Sequence, residues 1–108
     1  MQEVKAIIRT DRLQEVIQAL HALVHMPGVT VSTVRGFGRL APEPGPDVYD
    51  ETDFAKLEAV VDDTSVPSVI DTIVRHTHTG GPGDGKIFVM PVLQAIRIWD
   101  YEVRHGSE

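Results

Sequence analysis

The 108 residues contain no cysteine. That excludes a disulfide framework and any thiolate metal site, and it fits a reducing compartment. Basic residues are also in short supply. Ten Lys and Arg stand against sixteen Asp and Glu, for a formal net charge of −6. Nucleic-acid binding by bulk charge is therefore not expected, because no basic surplus is available to displace counterions. An anionic ligand stays admissible, but local cations and backbone amides must hold it. No apolar run is long enough to span a bilayer. The opening Met1-Gln2-Glu3-Val4-Lys5 lacks the apolar core of a signal peptide, so a cytoplasmic domain is expected.

Hydrophobic residues make up 42% of the chain, enough for one domain around one core. Val4 to Arg9 is rich in Val and Ile and reads as a strand. Asp11 is placed to cap a helix, with Gln14 three residues later for a reciprocal contact. Leu13, Val16, Ile17, Leu20, Leu23 and Val24 give that helix one apolar face, and Pro27-Gly28 stops it. Val29 to Val34 alternates as a second strand, ending at Gly36. Pro42, Pro44, Gly45 and Pro46 make 40–53 a polar, turn-rich break. Phe54 to Val61 is a third strand. Thr64 or Ser65 can cap a second helix with Pro67 in its first turn and Val66, Val69, Ile70, Ile73 and Val74 inside. Ile87 to Val92 is the fourth strand, and the tail with Ile96, Ile98, Trp99 and Tyr101 has room for one more short strand. The order βαβ, long loop, βαβ predicts an α+β, ferredoxin-like βαββαβ domain with an antiparallel sheet.

Two glycine segments carry the chemical signal. Gly36-Phe37-Gly38-Arg39 follows the second strand, and Gly83-Asp84-Gly85-Lys86 precedes the fourth. Each sets glycines beside a cation. Glycine lets backbone N–H groups approach an anion, and Arg or Lys supplies countercharge. Either segment alone reads as an ordinary turn; together with Arg39, Lys86 and Arg97 they favour a polyphosphate cradle. Crossover geometry brings both to one end of the sheet. In the strand order 4-1-3-2 they stand three inter-strand steps apart, roughly 14 Å. A neighbouring subunit would help close such a gap, so a homo-oligomer is expected.

These residues resemble the PII signal-transduction family over nearly the whole chain. Val4-Lys5-Ala6-Ile7-Ile8-Arg9 is similar to its first strand, and Gly28-Val29-Thr30-Val31 with Val34-Arg35-Gly36-Phe37-Gly38-Arg39 to its second strand and T-loop base. Thr79-Gly80 and Gly83-Asp84-Gly85-Lys86-Ile87-Phe88-Val89 resemble its B-loop, and Ala95-Ile96-Arg97-Ile98 its C-terminal nucleotide contact. The resemblance implies a non-enzymatic homotrimer, with a T-loop at about 38–53 and a B-loop at about 79–86. ADP, AMP or ATP would sit in clefts between subunits. The implied contacts are Thr30, Gly36, Phe37, Gly38, Arg39, Glu58, Gly83, Asp84, Gly85, Lys86 and Arg97. A regulated partner, such as a membrane transporter, would read the T-loop.

Departures from the family pattern narrow the expectation. Leu40 stands where the family has the Gln that binds Mg²⁺ and 2-oxoglutarate, and Phe54 where it has the lysine that pairs with the 2-oxoglutarate carboxylate. An apolar pair cannot coordinate a hard cation. Trp99 replaces a second phosphate-binding arginine, which favours fewer phosphates. Tyr49 is followed by Asp50-Glu51-Thr52, not the usual arginine and glycine, so uridylylation does not carry over. A variant outside nitrogen control is expected. It is similar to those found beside carboxysome, bicarbonate-transport or heavy-metal-efflux systems, and bicarbonate is a candidate second ligand near Arg39.

The remaining candidates read more plainly. His76 and His78 invite a metal reading but suit a helix C-terminus. His21 and His25 have a ligand-compatible spacing without a third ligand. Lys56 and Glu58 share a strand face as a structural pair. Asp84 is expected to brace its loop or to orient Lys86. A slow phosphohydrolase would need a general base and a Mg²⁺ site that the sequence does not offer.

Overall fold

The computed structural model describes residues 1–39 and 49–105, with backbone only at 38–39, 49–51 and 104–105. Alternation governs the strands. In β1 (Gln2–Arg9), Val4, Ala6 and Ile8 point one way and are buried; in β3 (Tyr49–Val61), Ala55, Leu57, Ala59 and Val61 do the same. α1 (Leu13–His21) and α2 (Val66–Thr77) cover that face with Val16, Leu20, Val66, Val69 and Ile73. Each fully buried aliphatic side chain here contributes about 1.5–3 kcal/mol.

β2 (Thr30–Arg39) and β4 (Gly85–Pro91) form the edges of the four-stranded sheet, ordered β2-β3-β1-β4. All three pairings are antiparallel. This is the expected ferredoxin-like βαββαβ fold, with the expected strand order. Both helices lie on one face. The other face carries Lys5 and Ile7 of β1, Phe54, Lys56 and Glu58 of β3, and Lys86 and Phe88 of β4 in facing registers.

Local details depart from the sequence reading. Asp11 does not cap α1; its carboxylate accepts from Arg9 Nη2 at 3.0 Å, and a 3-10 turn over Thr10–Arg12 leads into the helix. α1 ends at His21, before Pro27-Gly28, because Ala22 and Leu23 tighten into i−3 bonds to Ala19 and Leu20. Neither Thr64 nor Ser65 makes a side-chain cap on α2, whereas Pro67 does sit in its first turn. Val74 is exposed, and Thr72 and Thr77 are buried instead. Their hydroxyls donate to the carbonyls of Ser68 and Ile73, both at 2.8 Å, which satisfies them inside the helix.

The largest difference lies in the β2–β3 hairpin. Gly36-Phe37-Gly38-Arg39 is not a loop. β2 runs through it, paired in register with β3: Gly36 faces Thr52, Phe37 faces Glu51, Gly38 faces Asp50 and Arg39 faces Tyr49. The expected break at 40–53 is thus too long, since 49–53 are strand. Residues 40–48, with Leu40 and three prolines, lie outside the described residues. β1 follows β3 only as far as the Arg9–Phe54 pair. Beyond it, 35–39 and 49–53 project as a two-stranded ribbon. Cross-strand pairing overrides the weak strand preference of glycine and aspartate there. At the other end of the chain, β4 stops at Pro91. Among the described residues the tail adds no strand but a short helix, α3 (Tyr101–His105). No helix among the described residues is long and apolar enough to cross a membrane.

Candidate functional site

The two glycine segments share one groove on the helix-free face. Its volume is about 600 Å³, and its walls are Gly36 and Phe37 on the ribbon side and Gly83, Gly85 and Lys86 on the β4 side. Ile7, Phe54 and Phe88 line the span between them. The gap expected from strand spacing is therefore not empty within one protomer but lined by apolar side chains. Lys86 stands opposite Ile7 in the β1–β4 register. It is a cation beside an apolar surface, and Lys56 lies within the same groove.

The glycines differ in what requires them. Gly85 has φ 114°, and a Cβ there would lie 2.0 Å from the Ile7 carbonyl oxygen. Only glycine fits that backbone and that approach. At Gly36 a Cβ would meet the Phe54 ring at 2.7 Å, so the ring rests directly on the glycine. Gly83 has nothing within 4 Å, which leaves its backbone open to the groove.

Asp84 ties the 79–86 segment together. Its carboxylate accepts from the Thr79 hydroxyl, from the Thr79 N–H at 2.7 Å and from the Gly80 N–H at 3.1 Å. Gly80 is able to present its N–H there because it has φ 92°. These bonds, led by the Thr79 hydroxyl, hold the Asp84 carboxyl below the ordinary carboxylate range. The 79–86 segment thus carries its one carboxylate turned inward on its own backbone.

Thr30, Glu58 and Arg97 do not line the groove. Thr30 and Glu58 are direct cross-strand partners. They line a separate hollow of about 370 Å³ with Glu3 and Gly28. Thr30 is six residues from Gly36 along β2, roughly 20 Å. Glu58 also lies 3.7 Å from Lys56 Nζ, the structural pair expected. Arg97 belongs to the tail. Its Nε donates to Asp100 Oδ2 at 3.1 Å, Nη2 donates to the same oxygen, and its guanidinium lies 5.1 Å from the Trp99 ring centroid. The Arg39 backbone ends β2, and its side chain lies outside the described residues.

A family model described as "Nitrogen regulatory protein P-II" matches residues 1–102. The chain belongs to the P-II family. It is 44% identical over 105 residues to the nitrogen regulatory protein P-II of Nostoc punctiforme, covering 91% of each chain. It is 40% identical over 105 residues to nitrogen regulatory protein P-II 1 of Escherichia coli K12, again covering 91% of each. A P-II homolog of Arabidopsis thaliana is 44% identical over 102 residues, covering 89% of this chain and 52% of the plant protein.

P-II proteins are signal transducers rather than enzymes, and they bind adenine nucleotides. These three relatives are described as nitrogen regulatory proteins or homologs of one; none is described by bicarbonate, a carboxysome or metal efflux. The four histidines of this P-II chain with described side chains do not form a cluster. His76 Nδ1 lies 2.9 Å from Glu15 Oε2, joining α2 to α1, and His21, His25 and His78 are exposed. Among the described residues no group of three or more His, Cys, Asp or Glu could hold a metal ion. Sequence reasoning missed Ile7 and Phe88 as groove lining, the Phe54 ring on Gly36, and Asp100 as the partner of Arg97. Only the last had a local signal, a carboxylate three residues after an arginine.

Proposed function

We propose that the protein is a homotrimeric regulator that binds adenine nucleotide, with its phosphates between the β2–β3 ribbon and the Gly83–Lys86 segment. The observation that carries this reading is the single groove uniting Gly36, Gly83, Gly85 and Lys86. Open backbone at Gly83 and the cation at Lys86 supply anion contacts, while Phe54, Phe88 and Ile7 supply an apolar surface. Arg39, at the outer end of the described ribbon, joins the phosphate contacts in this reading.

What one protomer leaves undone supports an oligomer, and the family resemblance makes it a trimer. Thr30 lies well away from the groove, Glu58 is tied to Lys56 at its wall, and Arg97 sits in a tail with large exposed apolar side chains. Leu93 is 99%, Ile98 90% and Trp99 80% exposed. Such a surface needs a partner. In this reading a neighbouring copy covers it and brings its own Thr30, Glu58 and Arg97 to the cleft. Nucleotide shifts the projecting ribbon between arrangements with different affinity for a target, such as a membrane transporter. The ligand can bias them only by its differential affinity for the two arrangements.

The names of the relatives make nitrogen regulation the favoured process. The Phe54 ring lies on Gly36 at the position where the family carries a lysine, which supports a sensor with an altered second effector. Bicarbonate and 2-oxoglutarate are therefore arms of the test, not premises. Calorimetry with AMP, ADP and ATP, each alone and with either small anion, checks the reading. Binding is expected, and Lys86→Ala should weaken it about 10- to 100-fold, the loss of one charge-assisted contact. No binding of any nucleotide, or a purely monomeric species by sedimentation, would defeat the proposal.

A further inference from the structure

Arg97 differs from Lys86 in one respect. Lys86 faces the groove, whereas Arg97 is engaged within its own tail. Two of its N–H groups converge on Asp100 Oδ2, one at 3.1 Å, and its face lies 5.1 Å from the Trp99 ring centroid. Asp100 is 8% exposed, and its Oδ1 is buried with no hydrogen-bond partner. A buried carboxylate left with an unused oxygen is costly unless a cation stands against it. The pair is therefore held from the Asp100 side, and the guanidinium remains 57% exposed at its side chain.

We infer that Asp100 determines nucleotide specificity by neutralising Arg97, so that the tail presents a near-neutral Arg97–Asp100 pair to the ligand and does not reward added phosphates. This rests on the nucleotide reading above. An arginine free to fork a phosphate gives two parallel charge-assisted bonds. Here Nε and Nη2, one edge of that fork, already donate to Asp100, and the ring of Trp99 occupies one face. Nη1 keeps its donors, enough to touch one oxygen. Coulomb attraction to a polyphosphate grows with its charge, and a carboxylate within hydrogen-bond distance of the cation cancels most of that gain. The result is a site whose affinity rises little from AMP to ATP. The Arg97 hydrogen bonds also lower the Asp100 carboxyl against the opposing effect of burial, so the pair stays charged near neutrality.

The test is the ratio of ATP to AMP affinity, measured by calorimetry on the full chain. Asp100→Asn is nearly isosteric and frees the cation; it should raise the ratio about tenfold, while Asp100→Glu should leave it near the starting value. The double variant Arg97→Gln/Asp100→Asn removes both charges at once. It should keep the ratio within about threefold of the unaltered protein, and it serves if Asp100→Asn alone does not fold. If Asp100→Asn leaves the ratio unchanged or lowers it while Lys86-dependent binding persists, Asp100 only orients Arg97 and the inference is wrong. A fall of more than tenfold in the double variant would also overturn it, because Arg97 would then act as a full cation. Failure of the unaltered protein to bind any nucleotide is a separate result, and it removes the proposed function itself.

Discussion

Replacing Gly85 by alanine should be among the most damaging small changes in this protein, and its cost can be worked from two independent features. The first is conformational. Gly85 has φ 114° and ψ −166°, a region essentially reserved for glycine, and a side chain held there costs about 1–3 kcal/mol. The second is steric. The new Cβ would lie 2.0 Å from the Ile7 carbonyl oxygen and 3.1 Å from its carbon, both backbone atoms of the central strand β1. No rotamer relieves that contact. The start of β4 must move by more than an ångström, which breaks the Ile8–Gly85 and Ile7–Lys86 pairings and swings Lys86 out of register. Together the expected loss is about 3–5 kcal/mol, in the range reserved for backbone strain and broken pairing. For a chain of this size each kcal/mol lowers Tm by about 4–8 °C. The fall should therefore exceed about 12 °C, read by thermal unfolding at one fixed protomer concentration because an oligomer's Tm depends on it. Gly83→Ala is the control, since nothing lies within 4 Å of its Cβ position and its φ is ordinary. If the two variants melt within about 4 °C of each other, the account of Gly85 is wrong.

Other outcomes follow from the same geometry. Gly36→Ala should cost about 1–3 kcal/mol by pushing the Phe54 ring, whose Cε2 and Cδ2 would lie 2.7 and 2.9 Å from the new Cβ. In a Phe54→Ala background that penalty should shrink below about 0.5 kcal/mol, and a double-mutant cycle by urea unfolding measures the coupling. The Asp84 carboxyl is depressed by its bonds from Thr79 and Gly80. Its contribution to loop stability is thus full above the ordinary carboxylate value and is lost as pH falls through the lower folded value. The Thr79 and Gly80 amide resonances should accordingly titrate below the ordinary carboxylate range, and Asp84→Asn should abolish that titration. His76→Ala should change stability by less than about 1 kcal/mol, because its bond to Glu15 joins two partly exposed groups.

Much of the fold was legible along the chain, and the reason is local periodicity. Alternating Val4, Ala6 and Ile8, and the helical spacing of Val16 and Leu20, state which face each element buries before any partner is known. The strand order 4-1-3-2 came from the usual ferredoxin-like arrangement, and crossover rules added only that both glycine segments lie at one end of the sheet. The same reasoning failed where pairing is non-local. Gly36 to Arg39 and Asp50 to Asp53 look like turn sequence one residue at a time, and they become strand only because each supplies the other's hydrogen bonds. Helix termini failed for a similar reason: 3-10 turns and the Arg9–Asp11 pair took the place of the expected caps.

By itself, the sequence determined the family, the fold class, the absence of thiol chemistry and the identity of the cations available to an anion. Only the tertiary structure decided how those residues are used. It set Gly85 against a carbonyl of β1, laid Phe54 on Gly36, turned Asp84 onto its own loop and closed Arg97 onto Asp100. Those are through-space contacts between strands or across a folded turn, whose distances depend on register and on φ near glycine. Apart from the Arg97–Asp100 pair, three residues apart in the sequence, no spacing along the chain encodes them until the chain has folded.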